Sequence, residues 1–151
     1  MHLSRGHLVS CQGFVTLSAI GDSRYTGHVD GRQAIGRMAE DVAARFLERA
    51  GLRVVERNAR SALGEIDLVC RDGDAWVFVE VKCRQARWGD APAAAVSWIK
   101  RRRLIRLAQA YLRWRGGPTA RCRFDVVAVT VDGERVLEVR HLPAAFDASE
   151  A

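Results

Sequence analysis

One stretch of the chain, Gly64 to Arg84, restricts most strongly what the chain can fold into. Two apolar runs, Ile66 to Cys70 and Trp76 to Cys83, flank Asp72-Gly73-Asp74. An Asp-Gly pair between two such runs is typical of a short connection between antiparallel strands. The stretch is therefore predicted to be a β-hairpin.

Charged side chains interrupt both predicted strands. Because side chains alternate across a strand, Glu65 and Asp67 should share one face of the first strand, and Glu80 and Lys82 one face of the second. The opposite faces should carry apolar side chains, namely Ile66, Leu68 and Cys70 on the first strand and Val77, Val79, Val81 and Cys83 on the second. The hairpin is thus predicted to have a buried face and a face with acids and a lysine.

Two interpretations of these acids are open. A carboxylate among Val and Phe side chains is costly to desolvate unless it is paired or ligates a cation, which favours a metal site. Alternation of this kind is also typical of an antiparallel sheet with one solvated face, where Glu80 and Lys82 would be exposed. Periodicity alone favours the solvated face.

The spacing of the charged residues, in contrast, favours the metal site over the solvated face. An Asp on one strand followed by Glu-x-Lys on the next is the arrangement of the PD-(D/E)XK nuclease superfamily, which this sequence resembles through Asp67, Glu80 and Lys82. The proline that precedes the Asp in the superfamily is Ile66 here.

More of the chain is similar to the YraN family of bacterial proteins, which is placed near Holliday-junction-resolvase-like nucleases. The matching segments are Ala39-Glu40, Asn58-x-Arg60, Gly64-Glu-Ile-Asp-Leu-Val69, Phe78-Val-Glu-Val-Lys82, Gly89, Ala95-Val96, Lys100, Tyr111-Leu112 and Arg123-Phe-Asp-Val-Val127. The resemblance covers about residues 32 to 142, most of one domain by the usual size range. It implies an α/β fold with a restriction-endonuclease-like core, in which a mixed central β-sheet is flanked by two main helices.

The hydrophobic periods predict where these elements lie. Apolar residues at helical spacing indicate helices near residues 33–50, ended by Gly51, and 95–115, ended by Gly116-Gly117-Pro118. Alternating runs indicate strands near residues 52–57, 65–71, 75–83, 123–131 and 135–141. Asn58 and Arg60 are interpreted as part of a loop between the first two strands.

The two ends of the chain are predicted to lie outside the folded domain, which is assigned to residues 32–142. Residues 1–31 lack a sustained hydrophobic period and lie outside the resemblance, so they are interpreted as a disordered or misassigned extension that folding does not need. Residues 143–151, which begin at Pro143, are predicted to form a flexible tail.

The charge distribution indicates a polyanionic partner. The net charge is +6, and no acid occurs from Ala91 to Phe124 although nine of the 24 basic residues do. A charged helix face is usually only solvated, but the absence of neighbouring acids argues against local salt bridges and favours contact with nucleic acid, with DNA as the expected partner. The predicted nucleic-acid-binding residues are Arg60, Arg84, Lys100, Arg102, Arg106 and Arg113.

Cysteine usage and hydropathy bear on location. The four cysteines have no Cys-x-x-Cys spacing, which indicates neither a zinc site nor a disulfide framework and suits a reducing cytoplasm. Cys70 and Cys83 are predicted to be small core residues. No apolar run approaches the roughly 18 residues of a membrane span. The four histidines are not expected to lie near the acids.

The resemblance assigns roles to the charged residues of the hairpin. Asp67 and Glu80 offer hard oxygen ligands suited to Mg²⁺ or Mn²⁺, and the resemblance adds Glu40 as a third ligand, although a lone helix acid is more often solvated. Lys82 would orient or deprotonate the attacking water, or stabilise developing charge. The expected catalytic residues are therefore Asp67, Glu80 and Lys82.

Three functions remain open at this point. The first is a metal-dependent endonuclease that hydrolyses phosphodiester bonds in structured or branched DNA. The second is a non-catalytic nucleic-acid-binding protein with a vestigial nuclease site, and the third is a basic interaction module whose acids and Lys82 form a structural ion-pair network. Since resolvase-like enzymes often act as dimers, a homodimer is also an expectation of the resemblance.

Overall fold

The computed structural model describes residues 31–88, 96–115, 117 and 119–150. Two helices and five strands make up the fold. They are α1 (Gly31–Arg49), β1 (Arg53–Ser61), β2 (Gly64–Asp72), β3 (Ala75–Gln85), α2 (Trp98–Arg115), β4 (Cys122–Asp132) and β5 (Arg135–Phe146), with short 3₁₀ turns at Ala86–Trp88 and Ala148–Glu150. The prediction for residues 1–31 falls outside the described residues, apart from Gly31, which begins α1.

The five strands form one mixed sheet in the order β1-β2-β3-β4-β5. Neighbouring strands are antiparallel except β3 and β4, which pair in parallel from Trp76 opposite Cys122 to Gln85 opposite Val131. A parallel pair needs a long crossover connection, and here that connection contains α2. The predicted hairpin is therefore the β2–β3 pair at the centre of the sheet.

Each face of the sheet is covered by one helix. On one face, Ala43 and Leu47 of α1 pack with Leu68, Val79 and Val129. On the other face, the side chains of α2 pack with those of β3 and β4, and the main participants are Leu104, Leu107, Phe78, Phe124 and Val126. The helical periods predicted from the sequence are thus the stripes that α1 and α2 bury against the sheet.

Helix α1 ends as the sequence predicts. Gly51 has a φ of 93°, a left-handed conformation that glycine adopts without steric cost. The Leu52 N–H donates to the Leu47 carbonyl at 3.0 Å and the Gly51 N–H to the Glu48 carbonyl at 3.0 Å. These are the two hydrogen bonds of a Schellman motif, so the last carbonyls of α1 are satisfied.

The structure corrects two predicted boundaries. The loop expected at Asn58 and Arg60 is wrong, because β1 continues to Ser61 and pairs Arg60 with Glu65. The predicted start of the flexible tail at Pro143 is wrong, because β5 runs to Phe146. Phe146 is buried and stacks on Phe124 with ring centroids 5.0 Å apart. An exposed Pro on an edge strand is compatible with pairing, which is why it did not end β5.

Within the described residues, neither helix combines the length and apolar character needed to cross a membrane.

Candidate functional site

The site begins where β2 and β3 stop pairing with each other. The antiparallel register between them runs from Asp72 opposite Ala75 to Leu68 opposite Val79. One residue beyond that register, the Val81 N–H donates to Asp67 Oδ2 at 2.7 Å. The Asp67 carboxylate thus accepts a hydrogen bond from a backbone N–H that has no carbonyl partner on β2.

This local opening also changes which side chains share a face. Leu68 and Cys70 pack beneath α1, as expected, but Ile66 packs with the α2 cluster. The predicted shared face of Ile66 and Leu68 is therefore wrong. Asn58, with a φ of 51°, lies between the β1 partners of these two residues, and a left-handed residue inside a strand interrupts the strict alternation on which the prediction depended.

Three carboxylates and two cations meet in a cavity of about 220 Å³ between β2, β3 and α2, which we call the acidic cleft. The strands supply Glu65, Asp67 and Glu80, and α2 supplies Lys100 and Arg103. Leu104 and Leu107 complete the lining. In the acidic cleft, the carboxylates of the two strands therefore lie opposite the cations of α2, and two leucines of α2 form the apolar base.

Asp67 is the most perturbed acid of the cleft. Burial raises its pKa, the hydrogen bond from the Val81 N–H lowers it, and the nearby charges of Glu80, Glu40 and Glu65 raise it further, to about 7. Desolvation and like charge both disfavour the ionised carboxylate. A carboxyl group of this kind gains from a cation that neutralises the negative charge around it.

Lys82 and Glu80 form the shortest ion pair of the site. Lys82 Nζ lies 2.7 Å from Glu80 Oε1, and both side chains are 21% exposed. Burial would lower the pKa of Lys82, but the hydrogen bond to Glu80 leads the effects that raise it. Lys82 is therefore a cation at neutral pH rather than a base.

Lys100 approaches the same carboxylate from α2. Its Nζ lies 3.9 Å from Glu80 Oε1, and its side chain is 59% exposed. The proximity of Lys82 lowers the pKa of Lys100, because two neighbouring ammonium groups disfavour each other's charge. Of the two lysines, Lys100 gives up its proton more readily.

Glu40 is directed towards the acids but lies outside the lining of the acidic cleft. Its Oε2 accepts a hydrogen bond from Asn58 Nδ2 at 3.0 Å. Burial raises the pKa of Glu40, and the charge of Glu65 adds to the effect. Across residues 31–88, 96–115 and 119–150, no three His, Cys, Asp or Glu side chains form a preassembled metal-binding group.

The predicted nucleic-acid-binding residues are spread over several surfaces. Lys100 lines the acidic cleft, Arg60 pairs with Glu65 at 2.8 Å, and Arg84 donates to Thr130 Oγ1 at 3.3 Å. The other three, Arg102, Arg106 and Arg113, are exposed on α2 and do not line the cleft. At 3.6 residues per turn, Arg106 lies opposite the centre of the buried face of α2 and points away from the sheet.

Arg103 is a site residue that the sequence reasoning missed. It faces the acidic cleft, and a Cβ added at Gly64, whose φ is 133°, would overlap its guanidinium group. Glycine at position 64 therefore permits the close approach of Arg103. The spacing of Lys100, Arg103 and Leu107, at i, i+3 and i+7, could have identified them as one helix face.

The acid-free segment 91–124 is not free of ion pairs, contrary to the inference from its composition. The fold brings acids from β1, the β2–β3 turn and β3 to several of its cations. These pairs are Lys100 with Glu80, Arg115 with Glu56 at 3.8 Å, Arg121 with Asp74 at 3.4 Å and Arg123 with Asp72 at 2.6 Å. Arg103 and Arg106 have no such partner among the described residues.

One histidine does lie beside an acid, which corrects another expectation. His141 Nε2 is 2.8 Å from Asp125 Oδ2, and Arg123 Nε is 3.0 Å from Asp125 Oδ1. Asp125 is fully buried and also accepts the Ala144 N–H at 2.9 Å. Asp125 thus pairs with Arg123. It lies opposite Val79 in the β3–β4 register, and Val79 packs on the α1 face of the sheet, whereas the acidic cleft lies on the α2 side.

The fold and the cleft together define a class of protein. The chain is an α/β protein with a mixed five-stranded sheet between two helices, as in a restriction-endonuclease-like core, and its acidic cleft opens beside the central hairpin.

The model of the uncharacterised protein family UPF0102 matches residues 39–129. A UPF0102 protein of Anaeromyxobacter dehalogenans is 48% identical over 122 residues, which are 80% of this chain and 90% of the relative. One of Dechloromonas aromatica is 50% identical over 118 residues, 78% of this chain and 95% of the relative. The chain belongs to the UPF0102 family, and the predicted YraN resemblance is confirmed.

Proposed function

We propose that the protein is a metal-dependent endonuclease that hydrolyses phosphodiester bonds in structured or branched DNA. The observation that carries the proposal is the partly buried Asp67 carboxyl, which shares the acidic cleft with Glu80 and Glu65 and faces Lys100 and Arg103. Hydrolysis of a phosphodiester needs oxygen ligands for a cation and donors for the phosphate. The acidic cleft offers both within one cavity.

The donor set fits a hard divalent cation. Asp67 and Glu80 would hold Mg²⁺ or Mn²⁺, both of which prefer carboxylate and carbonyl oxygens. Glu65 lines the same cavity, whereas Glu40 is held by Asn58 and would support the site from α1. When bound, the cation would neutralise charge on the scissile phosphate and lower the pKa of a water molecule.

The cationic side chains would bind the phosphate and stabilise its charge. Arg103 presents a planar set of donors suited to phosphate oxygens, and its lining of the acidic cleft puts it opposite the carboxylates. Lys82, held by Glu80 at 2.7 Å, would stabilise the developing negative charge as an ammonium group. Lys100, whose Nζ lies 3.9 Å from Glu80 Oε1, would add a second positive charge beside the phosphate.

A second candidate function is nucleic-acid binding by a site that no longer hydrolyses. The Lys82–Glu80 and Lys100–Glu80 pairs favour it, because a carboxylate held by two ammonium groups is less available to a cation. If no nucleic acid were bound at all, these contacts would be a structural ion-pair network.

The test is cleavage of labelled linear, flap and four-way-junction DNA with Mg²⁺, Mn²⁺ or chelator. We expect metal-dependent cleavage that Asp67→Asn and Glu80→Gln abolish without lowering DNA affinity much. Lys82→Ala should reduce turnover by about 10²-fold or more while the metal still binds.

Glu134→Gln is the matched control, because it removes an exposed carboxylate in the β4–β5 turn, away from the cleft. Binding of DNA without any metal-dependent cleavage would select the second function. If the unaltered protein binds no divalent ion at millimolar concentration, the nuclease proposal is wrong.

A further inference from the structure

A second cavity, of about 270 Å³, adjoins the acidic cleft along β1 and the C-terminal half of α2. Leu107 lines both cavities, so they lie side by side. Arg60 lines the second cavity and pairs at 2.8 Å with Glu65, which lines the first. This ion pair lies at the boundary between the two. We call the second cavity the aromatic cleft.

The wall of the aromatic cleft contains the most exposed large apolar side chain among the described residues. Trp114 is 90% exposed although it belongs to the helix that covers this face of the sheet. An indole left in water is unfavourable for the isolated protein, since burying an aromatic side chain is worth a few kcal/mol. Packing of α2 therefore does not account for the exposed ring.

Tyr111 and Glu56 place a hydrogen-bonded polar pair in the lining. The Tyr111 hydroxyl donates to Glu56 Oε2 at 2.9 Å, and the Tyr111 ring meets Phe78 edge to face with centroids 5.9 Å apart. Burial, followed by the hydrogen bond to Glu56, raises the pKa of Tyr111 to about 12. Tyr111 therefore stays protonated, and Glu56 stays in place as an acceptor at the cavity wall.

Cations flank the exposed ring. Arg60 and Arg115 both line the aromatic cleft, and their side chains are 78% and 59% exposed. Arg115 also lies 5.8 Å from the centroid of the Tyr111 ring. An exposed indole in the same cavity as two guanidinium groups combines a stacking surface with partners for phosphate, the combination by which proteins hold single strands.

We propose that the aromatic cleft binds an unpaired nucleobase of the strand whose phosphate occupies the acidic cleft. The base stacks on Trp114, Arg60 and Arg115 contact the phosphates beside it, and Glu56 accepts a hydrogen bond from an N–H group of the base, such as thymine N3–H. The inference rests on the proposed function and narrows it. The substrate class is nucleic acid with a single-stranded or displaced nucleotide next to the scissile bond.

The experiment measures binding separately from cleavage. Anisotropy of a labelled oligothymidine strand and of a blunt duplex of the same length is recorded in chelator, where no hydrolysis occurs. Stacking of one base contributes about 1–3 kcal/mol, so Trp114→Ala should weaken binding of the single strand about tenfold or more. Binding of the duplex should change little, and Trp114→Phe should retain most of the affinity.

Trp98→Ala is the matched control, because Trp98 is also an exposed tryptophan of α2, at 58%, but does not line the aromatic cleft. It should leave binding of the single strand unchanged. An equal loss for Trp98→Ala and Trp114→Ala, or an equal loss for single strand and duplex, would overturn the inference.

Two further outcomes separate the alternatives. If Trp114→Ala leaves single-strand binding intact but abolishes self-association in sedimentation, the ring belongs to an interface between copies and the inference is wrong. If single strands bind through Trp114 while the unaltered protein never cleaves DNA with metal, the inference stands and the nuclease proposal fails.

Discussion

The Asp67 carboxyl group makes the folded chain sensitive to pH. Its pKa is raised from the ordinary range to about 7, first by burial, whereas an unfolded Asp titrates near pH 4. Between those two values the folded protein keeps a proton that the unfolded chain has lost. Stability therefore falls as the pH rises from about 4 to about 7, and the loss remains above that range.

Replacing Asp67 by Asn should remove the loss of stability that the ionised carboxylate causes at neutral pH. The amide oxygen can still accept the Val81 N–H, but no charge has to be desolvated. In chelator we expect the free energy of unfolding of Asp67→Asn to exceed that of the unaltered protein by about 2 kcal/mol at neutral pH. Urea denaturation at several pH values measures the difference, which should vanish below about pH 4.

The same measurement with a divalent cation should reverse the order. A cation that binds the Asp67 carboxylate stabilises the unaltered protein and not Asp67→Asn. Because proton and metal compete for the carboxylate, metal affinity should rise with pH up to about 7. Glu134→Gln should have the same free energy of unfolding as the unaltered protein at every pH, with and without the cation. A difference in unfolding free energy between Asp67→Asn and the unaltered protein that stays constant with pH would contradict this account.

The residues of the site differ in how well the sequence predicts them. Asp67, Glu80 and Lys82 were identified from their spacing on two neighbouring strands. Asp67 and Glu80 line the acidic cleft, and Lys82 contacts it through its ion pair with Glu80. Arg103 and Trp114 were missed as site residues because an arginine or tryptophan on a helix carries no local signal of the strand that it will face. The partner of Arg103 is the backbone at Gly64, and only the tertiary fold brings them together.

Helix α2 presents its cations in two directions. Lys100 and Arg103 face the acidic cleft, whereas Arg106 points away from the sheet and is exposed. Arg102 lies over the Trp98 ring, 4.7 Å from its centroid. One side of the helix therefore faces the site. The other side is exposed to solvent, where a second segment of nucleic acid could contact it.

Single substitutions on α2 distinguish the two sides. We expect Arg103→Ala to weaken DNA binding and to reduce the slope of log affinity against log salt by about one unit, the effect of one lost phosphate contact. Arg106→Ala, the same change one turn away, should leave the slope closer to that of the unaltered protein.

Salt titrations of both variants and the unaltered protein provide the comparison. Circular dichroism checks that each variant keeps its helical content. A larger effect for Arg106→Ala would assign the nucleic-acid surface to the outer side of α2, as the charge distribution of the sequence indicates.

The elements themselves were well predicted, and their ends less so. The periods of apolar residues placed both helices and all five strands, because burial on one face imposes those periods. The prediction ended β1 before Asn58 because Asn is common in turns. The structure accommodates Asn58 within the strand by a left-handed backbone and a hydrogen bond to Glu40.

The stability of the domain as a whole depends on the buried Asp125. Burial alone would raise the pKa of Asp125, but hydrogen bonds from His141, Arg123 and the Ala144 N–H lower it overall. Through Arg123, which also contacts Asp72, the group joins β4 and β5 to the β2–β3 turn. Distant parts of the sheet are thus connected by one carboxylate.

Asp125→Asn should destabilise the domain by about 3 kcal/mol, since it takes from the partly buried Arg123 one of its two counter-charges and leaves only Asp72. Because the folded pKa of Asp125 lies below its unfolded value, its contribution is present above about pH 4 and is lost as the pH falls further. Thermal unfolding at neutral and acidic pH measures this. Asp132→Asn, at the exposed end of β4, is the control, and an equal loss for both variants would contradict the role of Asp125.

The order and direction of the strands were only partly predictable. Tight turns predict the antiparallel β2–β3 and β4–β5 pairs, and the resemblance implied a mixed sheet. The sequence alone gives no local signal that β4 pairs in parallel with β3, because that contact depends on how α2 packs across the sheet.

An open sheet has two unpaired edges, and those of β1 and β5 carry exposed cations, Arg53, Arg57 and Arg60 on β1 and Arg135 and Arg140 on β5. Like charges oppose strand addition between identical copies. The left-handed residue Asn58 further interrupts the β1 edge. Growth of a continuous sheet from one copy of the chain to the next is therefore disfavoured.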